Sequence, residues 1–533
     1  MSLRLLRPEL AANAYAREID AALPRVLALA DRDPLSATRG YGDRQFWAWK
    51  LIDFPNATLQ GAVNGLSALL AANAFASHVS RPEIESAIDA MLAATPRMMR
   101  RDGSFEEALP FEQSWCVTAL VLYDATCAVM RSQGDARASR AAAIGPLERA
   151  ASFLVRRDET HGFISNHLAT GAAALLRWDA MSGDAQARRK AESLLERILA
   201  GQSGEGWFVE YGGADPGYQT LCMTHLADAA GTADDAGLWA ALERGVGFIR
   251  HFAHPDGSFG GVYGSRATRI YYPAGVEALA GRFPDARRLA DRMRGAIGRA
   301  ATVPLTAIDQ PNLLPLFNNY CQALLAAPGP DAEEGEARPV GRTWFPQAGL
   351  LVDSGPAHHT VISARKGGVV YHWRDGRLAC ADGGVVLEDS AGHIVTSQAD
   401  APANEVALTD ATLRVSGQLR RRSIPLPNPF NFLVLRAMSL TVMRIPAAGE
   451  LVKRLIARLL VRAGGPGAGR FVREITLGPD LRVVDRWEPA ELKRVEVDGP
   501  FSVIHMASAG YWQSGDTDSA EAPAAKRRAT RRP

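Results

Sequence analysis

A glycine set beside or near an aromatic residue recurs at Asp102-Gly103-Ser104-Phe105, His161-Gly162-Phe163, Gly206-Trp207-Phe208 and Asp256-Gly257-Ser258-Phe259. The recurrences lie roughly 45–60 residues apart, a period that belongs to helical arrays. Each is followed by a polar loop and then by an apolar run: WCVTALVLYDATCAVM, LATGAAALLRW, YQTLCMTHLADAA and YYPAGVEALAG. More polar helical segments, Asp184–Leu199 and Ala233–Phe252, lie between them. A helix that is apolar on most of its circumference is buried on most sides. The pattern therefore predicts a ring of helical hairpins, an α/α toroid, with apolar helices inside and polar ones outside. In such a ring the loops gather at one end and frame a groove.

The flanking sequence extends this expectation. Residues 1–40 read as mainly helical (Glu9–Ala30), with a break or kink expected at Pro24. The aromatic stretch Tyr41–Gly61 turns at Pro55-Asn56, and Ala57–Ala76 is another apolar helix. Near Pro311–Pro328 the helical period fades. The Pro-, Gly- and acid-rich APGPDAEEGEARPVGR reads as a boundary. Beyond it come short alternating runs such as GLLVDSG, HTVISARKGGVVYHW, ATLRVSGQL, RFVREITLG, LKRVEVDG and FSVIHMAS, the pattern of antiparallel strands. The expected organisation is multidomain, α then β. A toroid spans 1–326, a linker 327–342, an antiparallel β-sandwich 343–512, and a disordered basic tail 513–533.

A basic amphipathic insert interrupts the strands near 433–462, where ELVKRLIARLLVR keeps helical spacing. Two readings stand. The helix packs on the sandwich with Lys and Arg in water, or 451–462 and the tail AKRRATRRP make peripheral membrane contact.

The whole chain narrows the classes. At 533 residues it is too long for one ordinary core. Sixty Lys and Arg balance 58 Asp and Glu, which gives no case for nucleic acid. Five scattered cysteines without a CxxC read as reduced, buried thiols, so neither a disulfide framework nor a zinc cluster is expected. No uninterrupted apolar run opens the chain and no window suits a membrane-spanning helix. The expected location is the cytoplasm, with the periphery of the inner membrane as the alternative.

Chemistry concentrates between 161 and 230. Asn166, His167, Glu210, Tyr211, Tyr218 and His225 fall on or beside two loop-to-helix junctions. An amide, an imidazole and phenols at helix N-termini can neutralise a carboxylate and move protons. His225, inside an apolar helix, reads instead as a core histidine. Arg266, Arg269 and Tyr271 in SRATRIYY are candidate binding residues. Trp47 and Trp49 can stack on sugar rings or belong to the core. A terpene-cyclase-like toroid, suggested by the DGSF repeats and the Trp and Tyr content, is a further alternative; such enzymes need acidic clusters, and the obvious acidic pair, Asp234-Asp235, sits in a polar outer helix.

A helical toroid followed by a β-sandwich resembles the heparinase II/III-like family and its relatives among alginate and oligoalginate lyases. Asn166-His167 is similar to that family's Asn/His pair at the start of an inner helix. Asp215-Pro216-Gly217-Tyr218 is similar to the loop bearing its catalytic tyrosine, and Trp344-Phe345-Pro346-Gln347-Ala348-Gly349 to the opening of its sandwich. The resemblance implies cleavage of an acidic, uronate-containing glycan by β-elimination. Asn166 and His167 would hold the carboxylate and share in proton transfer, and Tyr218 would act near C5 and O4. A phenol ordinarily titrates near 10, so as a base it needs a nearby cation, Arg266 or Arg269. Glu210, Tyr211, Tyr271, Trp47 and Trp49 would contact the polymer.

The chain also departs from the family. GPAHHTVISARKGG carries His358-His359 with no aspartate alongside, so no cofactor is expected and a structural metal there is weakly founded. Relatives that degrade external polymers carry secretion signals, so a role in bacterial polysaccharide metabolism or biosynthesis inside the cell is expected. The alternative is a non-catalytic glycan-binding protein of capsule or exopolysaccharide assembly.

Overall fold

The computed structural model describes residues 8–74, 79–160, 162–331, 338–422, 428–445, 447–449, 451–452, 455, 466–497, 501–503 and 511. Its helices begin with α1 (Pro8–Ala11), α2 (Ala14–Leu29), α3 (Ala62–Ala71), α4 (Arg81–Met98) and α5 (Trp115–Arg131). Next come α6 (Gly134–Ile144), α7 (Glu148–Arg156), α8 (Ser165–Ser182), α9 (Ala185–Gly201) and α10 (Pro216–Ala233). The helical part ends with α11 (Ala236–Ile249), α12 (Ala274–Ala280), α13 (Pro284–Gly298) and α14 (Gln310–Ala326).

Helices α3, α5, α8, α10, α12 and α14 each pack on the next, and α14 returns to α3, so the ring closes. The remaining helices lie outside: α4 on α3, α6 and α7 on α5, α9 on α8, α11 on α10, α13 on α12 and α2 on α14. All are more polar than their inner partners except α11, which is rich in Leu, Ala, Val and Phe, contrary to expectation. Polar side chains lock the closure. Asn318 on α14 donates to the Gly61 carbonyl at 2.8 Å and accepts from the Gly65 N–H at 2.9 Å. Because chain returns along the outside between successive inner helices, the inner helices all start from one end of the ring.

The recurring turns are the device that starts them. Asp102 Oδ1 accepts from the Ser104 N–H at 3.1 Å and its hydroxyl at 2.7 Å. Asp256 does the same for Ser258, at 2.9 and 2.6 Å. Gly103 and Gly257 take φ of +98° and +91°, which a side chain would strain, and Phe105 and Phe259 plug into the core. His161 of the second turn lies outside the described residues. α2 runs unbroken through Pro24, where a break or kink is expected. Ile19, Leu23, Val26 and Leu27 are buried on both sides of it, and that packing outweighs a local cost of about 3 kcal/mol.

The strands form two antiparallel sheets. β1 (Gly341–Phe345), β2 (Leu350–Ser354), β3 (His358–Ser363), β4 (Val369–Arg374) and β5 (Arg377–Asp382) make a meander. The second sheet draws on β6 (Val386–Glu388), β7 (Ile394–Thr396), β8 (Glu405–Leu408), β9 (Thr412–Arg421), β10 (Pro466–Thr476), β11 (Arg482–Glu488) and β12 (Lys493–Arg494). Its order is β11-β10-β9-β7-β6-β12, with β8 on β9.

Side chains alternate across the first sheet. Leu351, Ile362 and Val370 meet Leu413, Val415, Phe471 and Ile475 of the second sheet. Val352, Val361, Val369, Tyr371 and Trp373 on the other face join the core of the helical ring. The first sheet is thus covered on both faces, which period-two reasoning about a sandwich does not anticipate. Trp373 donates its indole N–H to Asp256 at 2.7 Å, tying β4 to the fourth recurring turn.

The run FSVIHMAS contributes no strand at 501–503, and its remainder lies outside the described residues, as do 453–454, 456–465 and 512–533. Within the insert the structure shows α15 (Pro429–Leu440). Among the described residues no helix is long and apolar enough to cross a membrane.

Candidate functional site at the mouth of the ring

Two inner helices and one loop build the site. The segments leading into α8 and α10 are stitched together by a bridge between Ile164 and Glu210 and by the Ser165 N–H to the Val209 carbonyl at 3.0 Å. This sets Asn166 and His167 on the first turn of α8, next to Glu210. Glu210 opens a tight loop in which Tyr211 takes a left-handed φ of +54° and Gly212 one of +85°. Strain of this kind collects at functional sites.

Asp215 fixes the third component. It caps α10 by accepting the Tyr218 N–H at 3.0 Å, and its other oxygen accepts the Arg266 N–H at 2.9 Å. One buried carboxylate therefore ties the turn carrying Tyr218 to the loop carrying Arg266. The Arg266 guanidinium lies 4.0 Å over the Tyr218 ring and 4.5 Å from that of Tyr211, with Nη1 3.8 Å from Glu210. Burial opposes its charge, but Tyr218, Tyr211 and Glu210 outweigh that and raise its pKa, so it stays a cation.

Glu210 is fully buried, which pushes its pKa up to about 7 against the pull of Arg266 and Asn166. Asn166 donates twice to it, from the backbone N–H at 2.9 Å and the side-chain amide at 2.8 Å. His167 is oriented by Glu159, whose Oε2 lies 2.7 Å from Nδ1. A carboxylate only accepts, so the imidazole proton belongs on Nδ1 and the lone pair on Nε2. Glu159 is buried, while the imidazole retains some exposure. Glu159 escaped the sequence reading. It sits in a polar loop eight residues before His167, and no local pattern marks it.

Asn166, His167, Glu210, Tyr211, Tyr218 and Arg266 are thus gathered at one mouth, and the other candidates are not. Arg269 donates to the Tyr511 carbonyl at 3.2 Å, while Asn312 donates to the Tyr511 hydroxyl at 3.0 Å, so C-terminal chain lies against the start of α14. Tyr271 is no substrate contact: its ring is buried in the core, 5.0 Å from that of Phe259. Trp47 gives its indole N–H to the Leu29 carbonyl at 2.7 Å, and Trp49 is exposed on the loop before α3. His358 and His359 lie at the sheet. His359 meets the Ser354 hydroxyl at 2.7 Å, and pairing of β2 with β3 brings Asp353 to 3.5 Å from His358. Among the described residues no three potential ligands cluster around a metal position. Asp234 takes a left-handed φ at the end of α10 and Asp235 caps α11, so both are spent on the helix junction.

His225 packs edge-on against Tyr123 and meets the Thr170 hydroxyl at 3.2 Å; burial drives its pKa down to about 4. A depressed histidine lends stability above its unfolded value of about 6.5, and that stability is lost as pH falls through 4. Glu210 and Asp124, both raised to about 7 by burial, act oppositely and lose stability as pH rises. The test is therefore differential. Between pH 7 and 4.5 the wild type is expected to lose about 2–3 kcal/mol more than His225→Gln in urea unfolding.

No protein-family model matches the chain, and no curated protein is similar to it. Among solved structures it is similar to heparinase III, at 12% identity over 78% of this chain and 76% of that one, TM-score 0.42. It is similar to the chondroitin AC lyase of Streptomyces coelicolor A3 in complex with chondroitin sulphate, at 16% identity over 77% and 67%, TM-score 0.44. A cellobiose 2-epimerase of Bacillus thermoamylovorans covers 59% of this chain with 98% of its own length, at 10% identity and TM-score 0.43. These are likenesses of fold, and they assign no activity.

Proposed function

We propose that the mouth of the ring binds an acidic, uronate-containing glycan and cleaves it by β-elimination. The observation that carries this reading is the placement of Arg266. One buried cation lies against Glu210 and over the rings of Tyr218 and Tyr211, beside the helix that opens with Asn166 and His167.

Elimination needs the C5 proton acidified by neutralising its carboxylate, then removed while O4 is protonated. The C5–H and C4–O4 bonds break, a C4–C5 double bond forms, and the leaving oxygen takes a proton. Arg266 and the N-terminal ends of α8 and α10 favour a carboxylate at the mouth. His167, held through Nδ1 by Glu159, presents Nε2 as base toward C5. The Tyr218 hydroxyl supplies the proton to O4. A cation on the face of its ring stabilises the negative charge that then develops there. Tyr211, exposed at the rim, offers a sugar-stacking surface.

A second reading, glycan binding without chemistry, draws on Asn166. Its amide is committed to Glu210 instead of pointing to a ligand. Product mass separates the readings. Incubation with a susceptible uronate polymer is expected to give fragments lighter by one water than hydrolysis products, and His167→Ala to give none. Binding of the same polymers with no fragments from the wild type would favour the second reading.

A further inference from the structure

We propose that α15, with the exposed Val442, Ile445 and Leu451 that follow it, forms a docking face for the surface of an anionic phospholipid bilayer. The sequence of α15, PFNFLVLRAMSL, is apolar around most of its circumference, and such a helix is ordinarily buried. Here the one buried residue is Ser439, whereas Phe430, Phe432 and Leu433 are 70%, 61% and 67% exposed. Leu440, Val442, Ile445, Leu451 and Leu455 are exposed as well. A contiguous surface of this kind marks a site of association.

Charge selects the occupant. Residues 420–462 carry nine Lys and Arg against a single acid, Glu450, in a chain whose totals nearly balance. An apolar helix set in so basic a stretch of sequence suits an interface where anionic headgroups overlie hydrocarbon. They offer little to a glycan, which is read through hydrogen bonds, and the shared positive charge opposes face-to-face docking of two copies.

The face also has a defined place in the fold. Arg436 pairs with Asp53, and Arg444 lies 4.8 Å over the Phe111 ring. Asp53 and Phe111 belong to the loops that lead into α3 and α5, at the end of the ring that carries the site. Trp49 and Leu51, both exposed, extend the apolar surface along the first of these loops. Docking of this face would set the mouth of the ring beside the membrane. The inference does not depend on the reaction proposed above.

Vesicle flotation of the full-length protein tests it. The protein is expected to float with phosphatidylcholine vesicles containing phosphatidylglycerol, to release at high salt, and to bind pure phosphatidylcholine about tenfold less or weaker. The double variant Phe432→Gln, Leu433→Gln should lower partition onto the anionic vesicles by about tenfold or more, with an unchanged Tm because both side chains are exposed. Failure to float with anionic vesicles overturns the proposal, as does flotation that the double variant leaves intact. A lipid-free oligomer dissolved by the double variant would assign the face to a second copy of the chain and overturn it equally.

Discussion

Tyr218→Phe is expected to lower turnover on an acidic glycan by about 10²–10⁴-fold while leaving Tm and glycan binding close to wild type. The substitution is narrow because the backbone and the ring are held independently of the hydroxyl. The Tyr218 N–H goes to Asp215, and the ring face lies under Arg266. Phenylalanine keeps both, so the loss reports proton transfer and not collapse of the site. The expected kinetic form is a fall in kcat with little change in KM, the mark of an interaction made in the transition state. A variant that turns over at the wild-type rate would remove Tyr218 from the reaction. A variant that also loses binding would make the hydroxyl a substrate contact.

The largest stability effect is expected far from the mouth, at Arg473. Its side chain is fully buried in β10 and bonds both Asp485, at 2.7 Å from Nε, and Asp382, at 3.0 Å from Nη1. It also donates to the Gly368 carbonyl at 3.0 Å, in the turn between β3 and β4. Burial opposes the guanidinium charge, but the two aspartates outweigh it and raise its pKa. Arg473→Met would leave two buried carboxylates without their common cation. The expected cost is about 3–5 kcal/mol in urea unfolding. Adding Asp382→Asn to the same chain should recover part of it, since the charge at Asp382 then disappears while Asp485 keeps Arg494 at 3.2 Å. A single substitution that costs less than about 1 kcal/mol would mean that water or neighbouring groups already satisfy the aspartates.

The architecture was legible because it is written in local signals. The glycine-aromatic turns recur where the chain crosses to an inner helix, and the small, apolar runs after them become α5, α8, α10 and α12. The junction carrying Asn166, His167 and Tyr218 was legible for the same reason, as polar groups stand out against apolar helices. What the sequence hides is contact made by chain reversal. Nothing near Glu159 announces that it faces His167, and only strand register reveals Asp353 beside His358. The need for a cation near Tyr218 could be stated, but the choice between Arg266 and Arg269 was fixed by the Asp215 bridge. Tyr271 was misjudged because an arginine-rich loop reads as a rim, whereas its backbone carries that ring into the core. The insert was read from the basic periodicity of 450–462, while the apolar face that α15 exposes lies just before it.

Elimination at this mouth on a uronate polymer would leave a C4–C5 double bond that absorbs in the ultraviolet. The direct measurement is ultraviolet absorbance of the unsaturated product as pure protein is incubated with alginate, heparan-type glycans, hyaluronan and the capsular material of its host. The expected result is an absorbance that rises with time on at least one polymer and is abolished by both Tyr218→Phe and His167→Ala. A flat trace across the panel, or a rise that survives both substitutions, would contradict it.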